Sequence, residues 1–121
     1  MSGLLLIDER LLQEDPTTPQ LLERLRLRGV PHLALAAAPV HHRPLLQALA
    51  HQQAAPAQTW IVTTHPAWVL PATTAGLAGV VLIGTPPPAG DHSIVVAQAD
   101  HVADCPRVMV PRQGGCWHDP R

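Results

Sequence analysis

The chain has 121 residues, 46 % of them hydrophobic, and a formal net charge of −1. That balance suits one compact domain and excludes both a disordered chain and the basic footprint of a nucleic-acid binder. No apolar run approaches the roughly 20 residues of a membrane span, and with no lysine present Schiff-base chemistry is excluded too.

Other features narrow the class further. There is no Phe or Tyr, so aliphatic side chains must fill the core, and the three tryptophans offer little for stacking on bases. The start, MSGLLLIDER, lacks the basic segment and small-residue cleavage site of a signal peptide. Cys105 and Cys116 are read as free thiols or one bridge, and the cytoplasm is the expected compartment.

Taken in order, Leu4-Leu5-Leu6-Ile7 is an apolar run ending at Asp8-Glu9-Arg10, which reads as a central strand with an acidic tip. Thr18 as N-cap and Pro19 at the first helical position start a helix. Leu21, Leu22, Leu25 and Leu27 are assigned to its inner face, with Glu23, Arg24, Arg26 and Arg28 outside and Gly29 ending it. Leu33 to Ala38 reads as a second strand and Pro44 to His51 as a second helix.

Trp60-Ile61-Val62 and Val80-Val81-Leu82-Ile83 are short, wholly apolar, β-rich runs joined by a linker of helical length ending at Gly76. Such runs read as buried parallel strands with their crossover. Pro66 can open a helix in that linker, but Pro71 would then sit in its interior, costing about 3 kcal/mol. A kink, or a short helix starting near Pro71, is expected instead. Thr85-Pro86-Pro87-Pro88-Ala89-Gly90 is a stiff extended loop, and Ser93 to Val96 is a fifth strand. The repeated strand–helix alternation predicts an α/β three-layer sandwich around a Rossmann-like five-stranded parallel sheet. Residues 1–105 form the domain and 106–121, rich in Pro, Gly and Arg, an extended C-terminal tail. Ligands of open α/β sheets bind at the carboxyl ends of the strands, which marks Asp8, Thr63, Thr64 and Thr85.

The segments LLLIDER, LLERLRLRGVPHLALAAA, RPLLQALAHQQAAPAQTWIVTT and TAGLAGVVLIG, with ADHVAD near the end, resemble the haloacid dehalogenase-like (HAD) superfamily. The resemblance is to its small uncapped form, on the histidinol-phosphatase and heptose-bisphosphate-phosphatase branch. It covers roughly residues 3 to 104 and implies a HAD-like sheet in the order 5-4-1-2-3. The family opens with Asp-x-Asp, nucleophile then general acid. Here Asp8 keeps the nucleophile position and Arg10 stands at that of the acid. The family's phosphate-holding hydroxyl after the second strand falls on Ala36 or Ala37, and its phosphate-binding Lys-Pro is matched in part by Arg43-Pro44. Its acidic metal ligands fall on Thr63-Thr64 and Trp68.

Magnesium needs carboxylate oxygens, and arginine does not donate a proton at neutral pH. The resemblance therefore implies a catalytically degenerate pseudoenzyme: a binding, regulatory or protein-interaction module with no cofactor. Asp8 is its vestigial nucleophile, flanked by Arg10 and Arg43, and Thr63, Thr64 and Thr85 line its ligand-binding rim. Trp68, Pro86, Pro87 and Pro88 are the candidate contact surface for a protein partner or a second copy, since tryptophan is enriched at binding hot spots; no nucleic acid and no membrane is expected. Arg10 is long enough to fold back over Asp8 and stand in for the cation's charge.

Two alternatives compete. One is an active phosphomonoester hydrolase, with Glu9, Asp91, Asp100 or Asp104 supplying the missing carboxylates to Mg²⁺. The other is a degenerate receiver-like signalling domain, because Ile7-Asp8-Glu9 resembles the acidic pair after a receiver's first strand. A receiver also needs an Asp after its third strand and a Lys after its fifth, and its sheet runs 2-1-3-4-5. Plainer readings stand beside each residue. Asp8 serves as a capped turn residue, Thr63 and Thr64 as strand ends, and His41-His42 as surface histidines. The Arg24-Arg26-Arg28 series serves as a solvated helix face, and Cys105, Cys116 and His118 lack a zinc spacing.

Overall fold

The computed structural model describes residues 3–36, 40–86 and 94–101. Five parallel strands form one sheet: β1 (Leu5–Asp8), β2 (His32–Leu35), β3 (Trp60–Thr63), β4 (Gly79–Ile83) and β5 (Val95–Ala99). The helices are α1 (Leu11–Glu14), α2 (Thr18–Leu27), α3 (His42–Gln52) and α4 (Val69–Ala75), with 3₁₀ turns at Pro56–Gln58 and Pro66–Trp68. The expected α/β, Rossmann-like architecture is the observed one.

Period-two side-chain alternation divides the core between the two faces of the sheet. Leu4, Leu6, Ile61, Val80 and Leu82 pack with Leu45 and Leu49 of α3 and Val69 and Ala72 of α4. Leu5, Ile7, Val62, Val81 and Ile83 pack with Leu11 of α1 and Leu21 and Leu25 of α2. Because both faces are covered, β1, β3 and β4 are buried along their whole length, which is why their sequences are unbroken apolar runs. The edge strands β2 and β5 are only partly buried. Gly79 opens β4 because a Cβ there would lie 2.5 Å from the Trp60 ring and 2.7 Å from the Val95 carbonyl oxygen.

The sheet order is β2-β1-β3-β4-β5. This is the receiver's order, and it differs from the 5-4-1-2-3 implied by the HAD resemblance. In the HAD order the third strand lies outside the second, at an edge; here β3 lies beside β1 and β2 is the edge, with no strand outside β2 among the described residues.

Several boundaries move for identifiable reasons. The N-cap of α2 is Thr17, one residue before the expected Thr18, whose hydroxyl turns inward to the Leu11 carbonyl (2.7 Å). Leu27, assigned to the inner face, is 73 % exposed. The Pro71 conflict disappears because α4 starts at Val69, which places Pro71 in the first turn, where the backbone N–H has no intrahelical partner. The second strand ends at Leu35 and the fifth spans Val95–Ala99. Helix α4 ends at Gly76 in the left-handed conformation, with the Leu77 N–H on the Ala72 carbonyl. Gln53 adopts the same conformation after α3 (φ 53°), so an ordinary L-residue occupies a position that favours glycine.

Candidate functional site at the carboxyl ends of β1 and β3

The chain leaves β1 toward β2 on one side and returns to β3 on the other, so the strand order reverses between β1 and β3. The crevice outside the carboxyl ends of such strands is where open α/β sheets bind ligands. Asp8 is the last residue of β1 and Thr63 the last of β3.

Asp8 is 1 % exposed, and a buried carboxylate must be paired or hydrogen-bonded. Its Oδ2 accepts a 2.6 Å bond from the Thr63 hydroxyl. Its Oδ1 accepts from the backbone N–H of Arg10 (3.1 Å), and the Arg10 guanidinium donates to Oδ2 at 3.3 Å. Arg10 thus folds back over the carboxylate, as its position on the turn suggests. The Thr63 hydroxyl also accepts from the His65 N–H (3.0 Å), which ties the loop after β3 into the same network.

The other threonines of the rim are tied up as well. Thr85 donates to the Thr64 carbonyl (3.0 Å), joining the loops after β3 and β4. Thr64 lies 3.5 Å from a carboxylate oxygen of Glu14, at the end of α1. All three threonines therefore sit at the expected strand ends, and their hydroxyls bond within the chain.

The remaining candidates lie elsewhere. Arg43 is exposed near the start of α3, where it lines an open hollow of about 470 Å³ with Val40, His41, Pro44 and Gln47. Among the described residues the ion pair of Asp8 is with Arg10, so Arg43 does not join it. Trp68 requires a correction. It is fully buried, packed in the α3–α4 half of the core, and so is no contact surface. The physical reason is the turn Pro66–Trp68, which carries the indole down onto the sheet, where the largest apolar side chains of a chain without Phe or Tyr are needed. Pro86 is exposed; Pro87, Pro88, Asp91, Asp104, both cysteines and the tail 106–121 lie outside the described residues. Glu9 and Asp100 are exposed.

Sequence reasoning did not foresee several local hydrogen bonds. His65 and His41 each accept a backbone N–H two residues on through Nδ1, capping the 3₁₀ turn and α3. Histidine just before Pro66 at a strand–helix junction was the available signal. Asp15 accepts from the N–H and the hydroxyl of Thr17 (2.8 and 2.6 Å), an Asx turn readable in Asp15-Pro16-Thr17. His41 and His42 also stack, with ring centroids 4.2 Å apart.

No protein-family model matches the chain, and neither a curated protein nor a solved structure does. Nothing in these comparisons identifies a HAD relationship, and the strand order is not the one that the resemblance implies. Among the described residues no helix is long and apolar enough to cross a membrane.

Proposed function

We propose that this chain is a catalytically degenerate HAD-like α/β domain that acts by binding, as a regulatory or protein-interaction module in the cytoplasm, and not as a phosphohydrolase. One observation carries the reading: both oxygens of the Asp8 carboxylate are engaged by Arg10 and Thr63, on a side chain with no exposure. A nucleophile must be reachable by phosphorus, with the phosphate charge neutralised beside it, and the Asp8 side chain has no exposed surface. Asp8 instead serves the fold, holding together the tips of β1 and β3. The partner on this reading is another protein or a second copy. Pro86, exposed on the β4 loop, is the described residue left to contact it once Trp68 is assigned to the core.

The decisive assay is magnesium-dependent hydrolysis of a generic aryl phosphate by wild type and Asp8→Asn. The expected outcome is no turnover that depends on Asp8. Hydrolysis abolished by the substitution would overturn the reading in favour of the active phosphohydrolase.

The strand order favours a second reading, the degenerate receiver. Thr64 follows β3 where a receiver carries its phospho-acceptor Asp, and the chain has no lysine. Incubation with an acyl phosphate followed by mass spectrometry is expected to leave the mass unchanged; a phosphorylated Asp8 or Glu9 would make it a working receiver of altered design.

A further inference from the structure

The HAD resemblance implies a divalent cation beside Asp8, and the side chains do not fit one. Magnesium is held by one or two carboxylates plus waters and substrate phosphate. Asp8 is buried and already accepts three hydrogen bonds on its two oxygens, and among the described residues no three His, Cys, Asp or Glu side chains come together to hold a metal ion. We propose that the Arg10 guanidinium is a tethered counter-cation, covering the outer side of the Asp8 carboxylate and closing the β1–β3 crevice to divalent ions.

Three features support this assignment. The donors to Asp8 differ in kind: the Thr63 hydroxyl at the end of β3 and the backbone N–H of Arg10 on the turn are neutral, whereas the Arg10 guanidinium is a cation on a long side chain. The Asp8 side chain is 0 % exposed and that of Arg10 37 %, so the cation is the outer, water-facing member of the pair. Finally, Arg10 Nε is buried and has no acceptor among the described residues. An unmet buried donor is unfavourable, so the side chain is not held in place by a full set of its own hydrogen bonds. Its guanidinium contact is with the Asp8 carboxylate. Without the guanidinium, the carboxylate would keep its two neutral donors and present an uncompensated charge toward solvent, where a free cation can reach it.

The inference rests on Asp8 being a retired nucleophile, yet the two ideas fail separately: hydrolysis tests the first, and cation-dependent melting the second. Thermal unfolding of the full chain would be followed for wild type, Arg10→Lys, Arg10→Ala and the double variant Asp8→Asn/Arg10→Ala. Each would be melted with and without millimolar MgCl₂ or CaCl₂ at matched ionic strength, which keeps general screening constant. Wild type and Arg10→Lys are expected to show no cation response. Arg10→Ala is expected to melt lower and to regain about 3–5 °C with either salt, and the double variant none of it. If Arg10→Ala does not fold, Arg10→Gln, which keeps the side-chain stem without its charge, carries the same expectation. A cation response in wild type as large as in the neutral variant, or none in the neutral variant, would overturn the proposal.

Discussion

Among the described residues, the surroundings of Arg10 and of Arg43 are built in opposite ways. At the tips of β1 and β3, Arg10, Asp8 and Thr63 form a closed network around a buried carboxylate. At the start of α3, Arg43 and His41 border an open hollow, and both are exposed. The difference follows from what each group must neutralise. Asp8 is buried because β1 is central and covered on both faces, so its charge needs partners wherever the chain can supply them. Arg43 lies on a solvated helix end and is stable in water without any partner. A charge in the closed network is therefore coupled to stability, whereas a charge at the hollow is free to change.

The sharpest test of that contrast is Asp8→Ala. It strands the Thr63 hydroxyl and the guanidinium together and is expected to cost about 2–4 kcal/mol in urea unfolding, less than a fully buried pair because Arg10 is partly solvated. Thr63→Val comes next. It removes the 2.6 Å bond to Asp8 and the acceptor of the His65 N–H, for an expected loss of about 1–3 kcal/mol. At the far end of α3, Gln53→Gly is expected to stabilise by up to about 1 kcal/mol, since glycine adopts the left-handed conformation without strain; a lower denaturation midpoint would show that the Gln53 side chain has a role of its own. Arg43→Ala should change stability by no more than about 0.5 kcal/mol. If it costs as much as Thr63→Val, the hollow is as tightly coupled as the strand tips and the contrast fails.

The Asp8–Arg10 pair was readable beforehand because it is local: two residues apart on one turn, with a buried charge that must be met. Thr63 was readable as a strand end, but its bond to Asp8 was not, since that contact spans 55 residues and depends on β3 lying beside β1. Trp68 was misread for a related reason. Position relative to a family motif says nothing about which way a side chain turns, and the 3₁₀ turn after Pro66 points it into the core.

The chain's own pattern determined the class of fold. Unbroken apolar runs mark strands covered on both faces, and the proline and glycine signals between them mark the crossovers, because these preferences are set by neighbouring residues. The order of the strands was decided only in three dimensions. Apolar runs of similar composition can pair in several orders, and the choice follows from which faces the helices cover. That choice set β3 against β1 and not at an edge, brought the Thr63 hydroxyl onto Asp8, and left Arg43 outside the network.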